Sequence, residues 1–177
     1  LAELWNGRDR GTGYWLLLVC RLCICLVIAV QTGYDLRLAV TDEIRCREDE
    51  QKTQQLLERF AGADGGKLLQ LPVVFVGYQE ADLPEWCRRT EMYGWSFYGW
   101  DYSMENPTGA THRICGFVQA YTGNVLREDA TEEQKRHAVE LAGQMKDFPE
   151  EGSVLVTEDC VVVRLSEVKE QMPTDWW

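Results

Sequence analysis

The chain is poor in residues that bind metals or activate nucleophiles, since its 177 residues include only two histidines. Neither His112 nor His137 belongs to a His-Glu-x-x-His motif or to a cluster of cysteines and histidines, which a zinc site needs for its ligands. Both histidines are therefore predicted to be surface residues. We expect neither a metal nor a cofactor in this chain.

Also missing are the motifs that bind phosphate groups or expose a catalytic serine. The sequence has no dinucleotide-binding fingerprint, no phosphate-binding loop around Lys67 and no Gly-x-Ser-x-Gly elbow. Asp101 and Glu105 are neighbouring carboxylates, but carboxylates in a polar loop are ordinarily solvated rather than arranged for acid–base chemistry. The sequence thus predicts no self-contained active site.

Positive charge is in deficit as well, because 18 lysines and arginines stand against 29 aspartates and glutamates. The residues after position 33 carry all of the net negative charge. Such an acidic surface repels phosphate backbones and anionic lipid headgroups. Nucleic acid is therefore excluded as a partner.

What the sequence does contain is a long apolar run, residues 12–30, whose one formal charge is Arg21. A bilayer core about 30 Å thick needs about 20 largely apolar helical residues, so this run is predicted to be one membrane span. A signal peptide is the weaker alternative, because no Ala-x-Ala-like cleavage site follows. A buried core helix is the stronger one, since Arg21 and the cysteines of the run are unusual against lipid.

The chain begins with Leu1 rather than Met, and we expect a fragment of a polytopic protein whose last span is this run. An arginine in mid-span is tolerable when it faces other helices, which favours upstream transmembrane helices as partners. Arg8 and Arg10 precede the span, and this basic bias places the N-terminal side in the cytoplasm. The predicted division is a terminal transmembrane helix, residues 1–33, and a soluble extracytoplasmic domain, residues 34–177.

The seven cysteines leave the redox state open. Cys20, Cys23 and Cys25 lie inside the span, where they are interpreted as small apolar packing residues. A soluble domain of this size can build a core without bridges, although an outward face permits them. Disulfides are therefore allowed but not required among Cys46, Cys87, Cys115 and Cys160.

A long helix is predicted to leave the membrane. Apolar residues keep a helical spacing at Leu36, Val40 and Ile44 and resume it at Leu56 and Phe60. The polar middle of this helix, residues 45–50, is interpreted as a solvated face. Its end is predicted within residues 61–66.

Two shorter helices are predicted further along. The first has Thr111 as a candidate N-cap and Gly123 just past its end. Its apolar stripe consists of Ile114, Phe117, Val118 and Tyr121. The second begins with a capping box from Thr131 to Gln134 and is closed before Pro149.

The strands complete the predicted fold. Residues 71–78 form a short, continuous apolar run rich in β-branched residues, which predicts a strand buried on both faces and therefore the inner strand of the sheet. Residues 154–157 and 160–165, separated by Glu158 and Asp159, predict a hairpin. The fold class is α+β: a transmembrane helix, then a small mixed sheet of about three strands packed with helices.

Aromatic residues are concentrated in residues 86–102, which hold seven of them and contain Gly-Trp twice. Flat rings beside Asp, Asn and Ser side chains suit sugars, whose C–H faces pack on rings while their hydroxyls need directed polar partners. The alternative is that the rings cap the core or pack at a membrane interface, where Trp and Tyr are enriched. The candidate substrate-binding residues are Trp95, Ser96, Tyr98, Trp100, Asp101 and Arg113.

Several features occur in a fixed order. The span and the long polar helix are followed by Leu-Pro-Val-Val-Phe-Val-Gly at residues 71–77, by Gly-Trp-Ser-Phe-Tyr-Gly-Trp-Asp at residues 94–101, and by Met-Lys-Asp-Phe-Pro at residues 145–149. In this order they resemble the C-terminal region of the Gtr-type, O-antigen-modifying membrane glucosyltransferases. The family's serine-aromatic-tryptophan-aspartate element would match Ser96, Phe97, Trp100 and Asp101.

The resemblance implies a bacterial polytopic enzyme that transfers sugar from a polyprenyl-phosphate-linked donor to a cell-surface polysaccharide. It also implies that the catalytic acidic residues lie in earlier extracytoplasmic loops, so this chain would be structural or acceptor-contacting. The alternative is a membrane-anchored binding or interaction module without enzymatic activity. Further spans upstream of Leu1 would favour the transferase.

Overall fold

The structure, a computed structural model, describes residues 9–64, 70–87 and 94–169. Arg8, Lys67 and the part of the aromatic segment at residues 88–93 lie outside these ranges. In the described ranges the chain forms three helices and three strands. They are α1 (Asp9–Asp64), β1 (Val73–Val76), α2 (Ala110–Thr122), α3 (Glu132–Ala142), β2 (Val154–Val156) and β3 (Val161–Arg164). The predicted α+β class with a small mixed sheet is confirmed.

Helix α1 is 56 residues long and joins the apolar run to the folded domain without a break. The large apolar side chains of residues 14–30 are all exposed apart from the half-buried Leu18. Within the described residues, α1 is the one helix long and apolar enough to cross a membrane. The predicted long helix is thus confirmed, and its burial against the domain begins near Thr41. The predicted domain boundary after residue 33 falls inside this continuous helix and stays a prediction.

The sheet has the order β1-β3-β2, in which β3 runs parallel to β1 and antiparallel to β2. Strand β1 is buried along its whole length, as predicted, but the prediction that it is the inner strand is wrong. It lies at an edge of the sheet, where its outward-facing amides donate to acceptors outside the sheet. Val73, Phe75 and Gly77 donate N–H groups to the Arg127 carbonyl, the Thr111 hydroxyl and the Pro107 carbonyl, at 2.7, 3.1 and 3.0 Å.

The predicted hairpin of β2 and β3 is confirmed. Its turn is held by the Thr157 hydroxyl, which accepts the Cys160 amide at 3.0 Å and the more distant Asp159 amide at 3.4 Å. All seven cysteines are free, so none of the allowed disulfides forms. Burial raises the pKa of Cys115 to about 12, which keeps this thiol protonated and unreactive.

The predicted end of α2 is confirmed, because Gly123 adopts a left-handed conformation with φ of 76° and closes the helix. The predicted N-cap is wrong, since Gly109 precedes the helix and the Thr111 hydroxyl bonds to strand β1 instead. A side chain at residue 109 would place its Cβ 1.9 Å from the Asp101 carbonyl oxygen. The capping box of α3 forms as predicted, with Thr131 and Gln134 bonded to each other's amides.

The helices cover both faces of the sheet. On one face, Leu56 and Phe60 of α1 and Ile114 and Val118 of α2 pack with the sheet side chains of Phe75 and its neighbours. On the other face, α3 packs against the sheet through small side chains. The aromatic segment lies on the side of the sheet that α1 and α2 cover, because Tyr98 belongs to that part of the core.

Candidate functional site

A stripe of polar side chains lies buried along α1. Thr41, Arg45, Asp49 and Thr53 follow one another at intervals of four residues, and all are buried, Arg45 being 9 % exposed. The interpretation of residues 45–50 as a solvated face is therefore wrong for Arg45 and Asp49. It holds for Arg47, whose side chain is exposed and pairs with Glu43 on the surface. The four-residue spacing puts the buried set on one helix face.

Asp49 connects α1 to the aromatic segment. Its carboxylate accepts hydrogen bonds from the Ser96 hydroxyl at 2.5 Å and from the Phe97 amide at 3.0 Å. The Arg45 guanidinium lies 3.5 Å and the Lys52 ammonium 4.0 Å from the same carboxylate. Burial nevertheless raises the pKa of Asp49, because its cost to the charged form exceeds what these partners return. Asp49 thereby fixes the backbone of residues 96 and 97 on α1.

A second contact lies one turn further along α1. The Thr53 and Tyr98 hydroxyls are 2.9 Å apart, and the Tyr98 side chain is fully buried. Burial also raises the pKa of Tyr98. Of the candidate substrate-binding residues, Ser96 and Tyr98 thus lie in the interior, where they hold the segment in place rather than face a ligand.

Four rings form an aromatic ledge beside α1. Trp100, Phe97, Phe117 and Tyr121 follow one another with ring centroids 6.1, 4.8 and 6.0 Å apart. Phe97 and Trp100 come from the loop, whereas Phe117 and Tyr121 lie one turn apart on α2. Gln54 of α1 donates to the Tyr121 hydroxyl at 3.0 Å. The first three rings are half-buried and Tyr121 is exposed, so the ledge has a solvent-facing side.

Two arginines lie over this ledge. The guanidinium carbon of Arg45 is 4.9 Å from the centroid of Phe97, and that of Arg113 is 5.0 Å from the centroid of Trp100. Arg113 also donates its Nε–H to Asp101 at 2.6 Å, and these two side chains are 41 % and 45 % exposed. The structure therefore brings together the candidates Trp100, Asp101 and Arg113. Trp95 is half-buried in the same loop.

The backbone at Asp101 supports this arrangement. Asp101 has φ of 68°, a left-handed conformation that is uncommon for a residue other than glycine, though aspartate tolerates it. Its carbonyl approaches Gly109 at the start of α2, where a side chain would collide with it. This close approach holds Asp101 beside Arg113 on the first turn of α2.

Part of the site was not predicted from the sequence. Phe117 and Tyr121 were assigned to the core-facing stripe of α2, but only Ile114 and Val118 of that stripe are buried. Arg45 and Asp49 were also missed as functional neighbours. The available signal was the four-residue spacing of Thr41, Arg45, Asp49 and Thr53, which predicts one shared face.

The site combines groups that are able to bind a polar ligand. A ring face, a guanidinium and a carboxylate offer stacking, hydrogen-bond donors and acceptors within one exposed patch. The described residues contain no group of three or more His, Cys, Asp or Glu side chains placed to hold a metal ion. Both histidines are exposed, as predicted, and His112 pairs with Glu128 at 2.8 Å.

No model of a known protein family, no curated protein and no solved structure matches this chain. The resemblance to the Gtr-type glucosyltransferases therefore stays a hypothesis.

Proposed function

We propose that this chain is a membrane-tethered domain that binds saccharide at the aromatic ledge. The observation that carries the proposal is the patch formed by Trp100, Arg113 and Asp101, in which a half-buried ring adjoins an exposed cation–carboxylate pair. Sugars present C–H faces that pack on rings and hydroxyls that both donate and accept hydrogen bonds. The Arg113 guanidinium lies over the Trp100 ring, 5.0 Å from its centroid, and its pair with Asp101 supplies donor and acceptor atoms beside that ring.

The buried contacts support the same function because they hold the ledge rigid. Asp49 holds the segment at Ser96 and Phe97, and Thr53 holds it at Tyr98. A ligand that binds a preorganised surface loses less free energy to ordering of side chains. Residues buried beneath the ledge would thus contribute to affinity without touching the sugar.

The proposed host of this domain is a membrane glucosyltransferase of the Gtr type. In that setting sugar passes from a polyprenyl-phosphate-linked donor to a cell-surface polysaccharide, with chemistry performed by residues outside this chain. The ledge would contact the acceptor. The resemblance in residues 71–77 and 94–101 supports this assignment, and the exposed apolar half of α1 is compatible with a protein embedded among other transmembrane helices.

Saccharide binding can be tested with the full chain in lipid nanodiscs. Titration with glucose-containing oligosaccharides should give saturable binding, and Trp100→Ala should weaken it roughly tenfold, the equivalent of about 1.4 kcal/mol. Trp86→Ala is the control, because it removes a tryptophan that lies outside the ledge. If the unaltered chain binds none of the oligosaccharides, the proposal is wrong.

The proposed location is the extracytoplasmic face, from the basic residues before the span. In a variant lacking the native cysteines, Lys135→Cys places a thiol on α3, away from the ledge. An impermeant thiol reagent should label it in intact cells. If labelling requires lysis, the domain lies on the cytoplasmic side, and the binding proposal is unaffected.

A further inference from the structure

Residues 80–86 run along α1 toward its apolar half. Three hydrogen bonds join the segment to the helix. Residues later in the segment bond to residues earlier in α1. Lys52 donates to the Glu80 carbonyl at 2.9 Å, and Glu48 accepts the Asp82 amide at 2.8 Å. Arg37 donates its Nε–H to the carbonyl of Trp86. As the segment advances, its contacts on α1 therefore move back toward the N-terminus.

Distances along the helix show how far the segment reaches. A helix rises 1.5 Å per residue, so Lys52 and Arg37 are about 22 Å apart along α1. A fully extended chain covers about 3.3 to 3.6 Å per residue, which gives the six steps from Glu80 to Trp86 a reach of about 20 Å. Side-chain length at Lys52 and Arg37 covers the difference. The segment is shorter than this limit, because the Leu83 and Cys87 amides donate back to the Ala81 and Pro84 carbonyls at 3.0 and 2.8 Å. Trp86 lies at its membrane-proximal end, where Arg37 reaches its carbonyl.

The position of Trp86 relative to the apolar run follows from the same rise. Arg37 lies about 10 Å beyond Val30, the last residue of the run. Headgroups extend about 5 to 8 Å beyond the hydrocarbon core on each side of a bilayer. In a helix the Cα–Cβ bond tilts toward the N-terminus, so the Arg37 side chain leaves α1 in the direction of the bilayer. Its bond to the Trp86 carbonyl places that residue at the edge of the headgroup region.

The side chain of Trp86 is suited to this position. It is 49 % exposed, and the exposed side chains of Tyr34 and Leu36 lie at the same level of α1. Tryptophan and tyrosine are enriched where a protein crosses the headgroup region, because their rings are apolar with one polar edge. We propose that Trp86 inserts into the headgroup region of the bilayer that α1 crosses, as a second membrane contact of the domain.

This inference depends on the proposed membrane span, and it specifies the lipid surface. Asp82 and Glu85 are exposed on the same segment, so anionic headgroups would be repelled and zwitterionic ones tolerated. The contact should be apolar and insensitive to salt, unlike attraction to an anionic surface. Two contacts, α1 and Trp86, would fix the orientation of the domain over the bilayer, and hence the direction in which the aromatic ledge faces.

Difference fluorescence can test the contact in the full chain. The protein is reconstituted in phosphatidylcholine vesicles, with and without phosphatidylcholine that carries a nitroxide quencher on its headgroup. Because the chain has seven tryptophans, the emission of Trp86 is isolated as the spectrum of the unaltered chain minus that of Trp86→Phe. The headgroup quencher should remove most of this difference emission, and added salt should not restore it.

Two matched variants complete the experiment. Trp100→Phe isolates a ring that lies near Asp49, about 28 Å beyond Val30, and its emission should be unaffected by the headgroup quencher. Trp15→Phe isolates a ring inside the apolar run, and lipid brominated on its acyl chains should quench that emission. Quenching of Trp15 without quenching of Trp86 would overturn the headgroup contact alone. If the bromolipid fails to quench Trp15, α1 does not cross the bilayer, and both the span and the headgroup contact are wrong.

Discussion

The two halves of α1 reverse the usual distribution of side chains in a protein. Its N-terminal half exposes Trp15, Leu22 and Ile28, whereas its C-terminal half buries Arg45 and Asp49. Both halves belong to one uninterrupted helix, so backbone geometry does not distinguish them. What differs is the surroundings. The charged half is packed against protein, and the apolar half has no protein around it among the described residues.

Buried charge is tolerated in the C-terminal half because it has partners there. Asp49 accepts two hydrogen bonds and lies near Arg45 and Lys52, and Arg45 is also bonded to Asp42 at 2.6 Å. Exposed apolar area is costly in water, at about 25 cal/mol per Å², and a bilayer removes that cost. The C-terminal half thus suits a protein interior, and the N-terminal half suits the lipid proposed for it.

The largest expected effect comes from placing a charge where the domain offers no partner. Val76 is fully buried in β1, so Val76→Asp would bury an unpaired carboxylate and should destabilise the domain by several kcal/mol. The full chain in detergent should lose its cooperative thermal unfolding, followed by circular dichroism. Leu155→Asp on the exposed side of β2 is the control and should melt nearly as the parent does. An unchanged melting curve for Val76→Asp would contradict the burial of Val76 in the sheet.

Removing one partner from the buried polar stripe should have the next largest effect. Asp49→Ala leaves the buried Arg45 with Asp42 as its remaining carboxylate and frees residues 96 and 97, which should lower the free energy of unfolding by about 3 to 5 kcal/mol. For a chain of this length the midpoint should fall by about 10 °C. Glu43→Ala removes an exposed partner of Arg47 and should cost less than about 1 kcal/mol. Equal effects of the two substitutions would contradict the special role of the buried stripe.

A charge in the apolar half should be costly only in a membrane. Leu22 is exposed near the middle of the run, and Leu22→Asp should cost about 2.5 to 3.5 kcal/mol on insertion. A smaller fraction of the protein should then remain in the membrane after alkaline extraction. Leu36→Asp lies beyond the run and should leave extraction unchanged. If Leu22→Asp inserts as well as the parent, the apolar half does not lie in the hydrocarbon core.

The smallest expected effect is a dependence of stability on pH. Burial raises the pKa of Asp49 above its unfolded value of about 3.9, so the folded state binds the proton more tightly than the unfolded state does. Stability should therefore fall as the pH rises from the unfolded pKa through the folded one. Asp49→Asn cannot titrate at this position and serves as the reference. The melting midpoint of the parent minus that of Asp49→Asn should be largest at the acid end of this range. An increase of this difference with pH would contradict the raised pKa of Asp49.

Local sequence signals predicted much of the fold. The capping box at Thr131, the glycine after α2 and the apolar strands each act through neighbours within a few residues, and each formed as expected. The order of the strands could not be predicted in the same way. It depends on Thr111, Pro107 and Arg127 accepting the outward amides of β1, contacts between residues far apart in the chain.

The candidate site shows the same limit. Composition identified the aromatic segment, and Trp100, Asp101 and Arg113 do lie together. Composition could not separate the buried Ser96 and Tyr98 from them, because that depends on which side chains meet Asp49 and Thr53. A polar run such as residues 45–50 is ordinarily solvated, and only the packing of the loop on α1 makes Arg45 and Asp49 interior residues.

The native cysteines provide the most direct test that the two halves of α1 lie in different media. Cys20, Cys23 and Cys25 are the exposed thiols of the described chain, whereas Cys46 and Cys87 are half-buried. In water, exposure alone would make the first three the most reactive. With the full chain in phosphatidylcholine vesicles, a membrane-impermeant maleimide followed by peptide mass spectrometry should label Cys46 and Cys87 and spare Cys20, Cys23 and Cys25. Preferential labelling of Cys20, Cys23 and Cys25 would contradict the account, because the apolar half would then lie in water.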